Sequence, residues 1–274
     1  MQRRTIAREI RMEGIGLHSG GRISLLVRPG QGGIVFVREG VIIPGTPENV
    51  VDTRLNTTLG SGGATISTVE HFMSALYGLG ITDCEVEVSG AEMPAFDGSA
   101  LPFFSLLRQA GAREIPGEAP EICLPGPVSV EEGDSWIKAD PGGFGISYEI
   151  AFSSRAIGLQ RYHYDGTDYG GRIAPARTFG MLRDVDAMRA AGLALGGSLE
   201  NAVVVDKDRV LNPEGLRFAD EFIRHKVLDL LGDLWLLGAP LIARIRACRA
   251  SHRLHVALAR AVLDAVRPAE RGLS

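Results

Sequence analysis

The chain has 274 residues, 45% of them hydrophobic, enough to bury a sizeable core in one large domain or two modest ones. Lysine and arginine number 29 against 33 aspartates and glutamates, and the net charge of −4 leaves no basic footprint for nucleic acid or anionic lipid. Three dispersed cysteines, Cys84, Cys123 and Cys248, fit neither a disulfide framework nor a thiolate zinc site and point to a reducing compartment.

The basic start MQRRTIAREIRMEG lacks the apolar stretch of a secretory signal, and a cytoplasmic protein is expected. Residues 22–27 (RISLLV) and 33–38 (GIVFVR) predict strands around a Pro-Gly turn. Apolar spacing over 67–79 (STVEHFMSALYGL) predicts a helix stopped by Gly80. A half-buried strand at 84–88 and a second helix at 100–110 complete a first unit, 1–113. Residues 114–127 hold four prolines and two glycines and read as a linker. The second unit, 128–274, repeats the order: strands at 128–131, 136–139 and 145–152, a long helix over 219–237, a strand at 241–247 and a helix over 254–266. Residues 187–205 look inserted. The most apolar region, 228–245, is broken by Asp229, Asp233 and Arg244 and is a core segment, with no membrane span expected. Both halves carry a histidine near the start of their first helix, His71 and His225, which supports a duplicated α+β unit.

On the long helix, His225, Asp229 and Asp233 fall at i, i+4 and i+8 and share one face. The helix is apolar on nearly every side, so these groups are buried and must be paired or bind something. A salt-bridged stripe at an interface is one reading. A metal site is the other: imidazole and carboxylate at i, i+4 suit zinc or iron(II), with a third protein ligand and an open position required. Glu70-His71 is the obvious donor, the glutamate then serving as base to water. Ser67-Thr68-Val69-Glu70 also matches a capping box, and by itself Glu70 would only cap the helix. His252 follows the last strand, where it could protonate a leaving amine with Asp233 holding its ring, or lie on the surface. His255 is three residues away and easily confused with it, and His163 reads as an exposed strand residue.

Six stretches, in order along the chain, resemble one family closely: GIGLHSG (14–20), ISTVEH (66–71), FDGSALPF (96–103), ARTFG (176–180), LGGS (195–198) and LRFADEFIRHKVLDLLGDL (216–234). The family is the UDP-3-O-acyl-N-acetylglucosamine deacetylases, the zinc amidases of lipid A biosynthesis. The resemblance implies an α+β fold, a duplicated two-layer α/β sandwich unit with a small insert in each half and helices of both halves facing each other around the active site. It implies His71, His225 and Asp229 as metal ligands, Glu70 as general base, and His252 as electrostatic stabiliser and general acid. Lys226 and Asp233 would support the acid, Thr178 would hydrogen-bond the oxyanion, and Phe179, Phe152 and Lys226 would contact the substrate. His18 would border the site, and the insert around 182–205 would form the passage for the acyl chain. The cofactor would be Zn2+, with Fe2+ also suited to the donor set. The substrate would be a UDP-linked acylated amino sugar, handled by a monomer with no nucleic acid partner and no membrane insertion. The mechanism implied is amide hydrolysis to acetate and a 2-amino sugar, with a bell-shaped pH–rate profile.

Three positions depart from the family pattern. Ser251-His252 followed by His255 stands where glycine-histidine and an asparagine three residues on are usual; Ser135 stands where lysine is common; Met181-Leu182 replaces a second aromatic after ARTFG. They motivate two rivals: a zinc amidase acting on a different N-acylated sugar, and a catalytically silent nucleotide-sugar-lipid binder. The second is opposed by the presence of both base and acid.

Overall fold

A computed structural model describes residues 1–267. Its described residues form six α-helices: α1 Glu70–Leu79, α2 Leu101–Ala110, α3 Tyr169–Arg172, α4 Leu182–Ala190, α5 Glu221–Trp235 and α6 His252–Val266. The first main sheet has the strand order Ile10–Ile15, Arg22–Pro29, Cys84–Val88, Ile34–Arg38, Val41–Pro44. The second has the order Val128–Glu132, Ser135–Pro141, Leu241–Cys248, Gly145–Ala151, Leu159–Tyr164.

The two sheets share one topology. In each, two antiparallel hairpins flank a central strand that runs antiparallel to one hairpin and parallel to the other. In each, one helix precedes the central strand and one follows it: α1 and α2 around Cys84–Val88, α5 and α6 around Leu241–Cys248. Alternating burial along Arg22–Pro29 and Leu241–Cys248 shows why a two-layer unit forms, since every second side chain faces the helices. The expected duplicated α+β sandwich is what the chain adopts.

The two helix layers meet, with α1 and α5 packed along one another more extensively than any other pair of elements. At their closest approach a Cβ on Gly232 would lie 2.0 Å from the Glu70 carbonyl oxygen, so only glycine admits this crossing. Tyr77 of α1 stacks edge-on against Trp235 of α5, ring centroids 5.5 Å apart, and seals the far end of the contact. Each half also carries an insert. A three-stranded sheet of Val50–Asp52, Thr58–Ser61 and Ala64–Ile66 belongs to the first. The strands Phe179–Met181, Val203–Asp206 and Arg209–Val210, with α4, belong to the second.

Three local expectations change. The proline-rich tract is largely structured: Ala112–Glu118 pairs antiparallel with Gln2–Ile6, and Ile122–Cys123 joins Leu241–Cys248 in parallel. Pro116 is tolerated on this short two-stranded ribbon, whose exposed side needs no amide donor. Helix α1 begins at Glu70 and not at residue 67, because Thr68 adopts φ +60° and interrupts the right-handed helix. Helix α6 begins two residues early, so that His252 is its first residue, behind Ser251 at the N-cap, instead of lying in a free loop. No helix among the described residues is long and apolar enough to cross a membrane.

Candidate metal centre and its surroundings

The first turn of α1 and one face of α5 bring His71, His225 and Asp229 together. One donor atom from each lies within 4.8 Å of the others. His225 Nε2 is 3.3 Å and His71 Nε2 is 3.7 Å from the same oxygen, Asp229 Oδ1. His225 donates Nδ1–H to the Ala176 carbonyl at 3.1 Å, which fixes its tautomer and leaves the Nε2 lone pair facing inward. Burial pushes His71 down to about 3 and also lowers His225, so both rings are neutral. Burial alone would raise Asp229, but the two cations beside it, Lys226 and the protonated His252, hold it well below the ordinary carboxylate range. Lys226 Nζ donates to Oδ2 at 2.7 Å.

Asp229 Oδ1 and His71 Nδ1 are buried without any hydrogen-bond partner among the described residues. An ionised oxygen that faces the His225 lone pair, with His71 Nε2 3.7 Å away, has no donor within reach, and a buried group of this kind is costly unless a cation sits between the three. Two nitrogens and one oxygen converging on a point fit a divalent metal with a position left open.

Glu70 stands beside His71 and does not cap α1. Val69 is the N-cap residue with no side-chain cap bond, and the Ser67 hydroxyl donates to the Ala91 carbonyl. Glu70 Oε2 instead accepts the Thr57 backbone N–H at 3.0 Å. Burial raises Glu70 to about 7, helped by Asp233 and Asp229 and opposed by His252. Opposite it, His252 donates Nδ1–H to Asp233 Oδ2 at 2.8 Å, and its Nε2 faces the metal-side carboxylate, 3.8 Å from Asp229 Oδ2. Burial would lower His252, yet Asp233, Asp229 and Glu70 together raise it to about 9. Asp233, pulled down to about 2 against its burial chiefly by His252, also accepts Thr57 Oγ1–H on Oδ1 at 2.5 Å.

Thr57 therefore ties the base to the acid's partner through its backbone and its hydroxyl. It carries no local sequence signal, sitting in RLNTTLG with nothing to mark it. Arg177 and Glu221 were legible, being inside quoted motifs, but not as site groups. Arg177 is buried and bidentate to Glu221, at 2.8 and 3.1 Å, and both Glu221 oxygens also take backbone N–H bonds from Arg177 and Arg217. This clamp sets the Ala176-Arg177-Thr178 backbone, so that Ala176 orients His225 and Thr178 N–H reaches the Gly98 carbonyl at 2.8 Å. Gly98, at φ +82°, also lets the Asn201 segment pack against it, since a Cβ there would meet the Asn201 carbonyl at 2.1 Å.

The GIGLHSG and LGGS stretches dock on each other: Leu195 and Gly196 N–H groups donate to the carbonyls of His18 and Leu17. Glu92, buried, accepts the His18 and Ser19 amides and holds the first of these loops. Between the loops and α4 opens a cavity of about 430 Å³ lined by Leu17, Leu55, Val185, Met188, Leu199 and Val204, among others, with His18, Thr178 and Phe179 also on its wall. Helix α4 has no buried residue and contributes Leu182, Val185, Met188 and Arg189 to the wall. The Phe179 ring lies 6.2 Å from His225 and 5.6 Å from the exposed Phe152. His163 is exposed on its strand, as expected. Of the departing positions, Ser251 is exposed, whereas His255 is fully buried and donates Nδ1–H to Asp233 Oδ2 at 2.9 Å.

Two facing α+β layers around a buried donor set of two imidazoles and a carboxylate, flanked by a glutamate and a carboxylate-held histidine, define a metal-dependent hydrolase. The chain belongs to the UDP-3-O-acyl N-acetylglycosamine deacetylase family, a metalloenzyme family whose model matches residues 3–264. It is similar to the UDP-3-O-acyl-N-acetylglucosamine deacetylase of Anaeromyxobacter dehalogenans, 45% identical over 267 residues, covering 95% of this chain and 87% of that protein. The deacetylases of Acidithiobacillus ferrooxidans (46% over 274 residues, 96% and 90% covered) and Phenylobacterium zucineum (47% over 266 residues, 93% and 90% covered) are equally similar.

Proposed function

We propose that this chain hydrolyses the N-acetyl group of UDP-3-O-acyl-N-acetylglucosamine, releasing acetate and the free 2-amino sugar for lipid A biosynthesis, with Zn2+ held by His71, His225 and Asp229. The observation that carries the site assignment is Asp229 Oδ1, without a hydrogen-bond partner among the described residues and facing two neutral imidazoles, with Glu70 on one side and His252 on the other. When bound, the metal supplies Lewis acidity that activates water near neutral pH and polarises the amide carbonyl.

The chain's own groups do the rest. Glu70, held by the Thr57 amide and raised to about 7, takes the proton of the attacking water. Thr178 offers its hydroxyl to the developing oxyanion, and the cationic His252 adds electrostatic stabilisation. His252 then gives its Nε2 proton to the departing glucosamine nitrogen, while Asp233 holds the ring through Nδ1. Lys226 balances the second oxygen of Asp229. Phe179 and Phe152 present aromatic faces to the nucleotide-sugar end, His18 borders the cavity, and the cavity against α4 takes the acyl chain.

All these groups come from one chain, so the site needs no partner subunit, and we read the protein as a monomer. Its three free cysteines fit a cytoplasmic, reducing compartment. The test is acetate release from UDP-3-O-acyl-N-acetylglucosamine by the purified protein, before chelation, after it, and after zinc restoration. Turnover lost and regained with the metal is expected; no turnover from zinc-loaded protein would refute the substrate assignment.

A further inference from the structure

Asp233 Oδ2 accepts two imidazole N–H bonds, from His252 at 2.8 Å and from His255 at 2.9 Å. The two histidines lie three residues apart on the first turns of α6 and reach the same carboxylate, but they face opposite ways beyond it. His252 Nε2 looks toward Asp229, whereas His255 Nε2 meets the Tyr148 hydroxyl at 2.8 Å. Tyr148 and His255 are both buried, so His255 has no route to a substrate. The same hydroxyl lies 2.8 Å from the carbonyl of Ala250, two residues before His252, and Arg249 N–H donates to the Glu149 carbonyl. The strand Gly145–Ala151 thereby grips the segment that carries His252 through both side chain and backbone.

We propose that His255, backed by Tyr148, is a positioning residue that fixes the Asp233 carboxylate and through it aims His252 at the reacting amide. The role presupposes the deacetylase site proposed above. Asp233 has three donors, Thr57 Oγ1 on Oδ1 and the two imidazoles on Oδ2, and together they lock its torsion. Removing the His255 donor leaves the carboxylate on Thr57 and His252 alone, which widens its torsion, and deprives Tyr148 of one of its two partners. An amide side chain can replace the donated N–H; an aliphatic one cannot.

The test compares H255L, H255N and Y148F with the wild type, their folding checked by thermal unfolding. H255L is expected to lower kcat by roughly 10–100-fold, the cost of a misplaced catalytic group, with KM changed less than about twofold. H255N restores most of kcat, and Y148F falls between. Unchanged kcat in H255L, or equal losses in H255N and H255L, would overturn the proposal. A second readout does not need turnover: the hydrogen-bonded imidazole Nδ1–H resonances of 15N-histidine-labelled protein, assigned with H252Q and H255N. The His252 resonance is expected to shift or broaden in H255L, and an unmoved resonance overturns the positioning role. If the wild type releases no acetate, the deacetylase reading fails, while these resonances still decide whether His255 positions His252.

Discussion

The carbonyl oxygen of Glu70 lies where the Cβ of any residue other than glycine at position 232 would need to be, 2.0 Å from it. The backbone of Glu70 and that of α5 are thus in close contact, and the distance between the halves is set at the site itself. Gly232→Ala forces α1 and α5 apart. Such overpacking costs roughly 1–3 kcal/mol or more, read by urea unfolding, and acetate release falls further than stability because Glu70 moves with α1. An unaltered unfolding midpoint would show that the helices can slide without strain.

The Arg177–Glu221 pair is buried on both sides, with 2% and 0% side-chain exposure. Arg177→Met leaves the buried Glu221 carboxylate without its cation and is expected to destabilise by roughly 3–5 kcal/mol; adding Glu221→Leu recovers only part of that loss, because the backbone amides of residues 177 and 217 then lose their acceptor. Denaturant unfolding of the two single variants and the double variant measures the cycle. Metal affinity falls in the single variant, since Ala176 no longer orients His225.

Activity requires Glu70 ionised and His252 protonated, which fixes the sign of the pH dependence. With Glu70 raised to about 7, the rate rises with pH through that value; with His252 raised to about 9, it falls as pH passes that value. A cation at the donor set favours ionised Glu70 and neutral His252, so both limbs move downward in the loaded enzyme. A bell with limbs no higher than about 7 and 9 is expected in kcat/KM, and a profile flat from mildly acidic to alkaline pH refutes these roles. Glu70→Gln lowers kcat by roughly 10²–10⁴.

Chelation abolishes turnover and lowers the Tm, because a metal bound to the folded state alone contributes about 4 kcal/mol at a free concentration 1,000-fold above its Kd. Asp229→Asn removes the ionised oxygen that faces both imidazoles, and its Tm becomes insensitive to added zinc. A zinc-dependent Tm that survives in this variant would place the ion elsewhere.

Met188 and Val185 of α4 line the cavity assigned to the acyl chain. Met188→Trp narrows it and raises KM for long-chain substrates at least severalfold, with short-chain turnover unaffected. Equal effects at every chain length would disconnect this cavity from the acyl group.

Much of the fold was legible because its causes are local. Alternating burial at Arg22–Pro29 and apolar spacing along α1 and α5 are written in consecutive residues, and the repeated order of strands and helices follows from them. The same holds for the i, i+4 spacing of His225 and Asp229, beside which Glu70-His71 and His252 already stood as candidate ligand, base and acid; the motif resemblance chose among those alternatives and added Lys226, Thr178, Phe179, Phe152 and His18. What periodicity reports is which side chains share a face of one element. Which faces meet is decided by packing between elements far apart in the chain. Thr57 joins Asp233 across 176 residues, His225 is oriented by a carbonyl 49 residues away, and His255 turns inward because Asp233 and Tyr148 offer it an acceptor and a partner. The capping-box reading of Ser67 and Glu70 failed for the same reason: local spacing allowed the bond, but Thr57 and the strained Thr68 took its place. By itself the sequence determined the elements, the donor types and the family they resemble; only the tertiary structure decided which buried polar groups satisfy one another, because that depends on partners that no local pattern encodes.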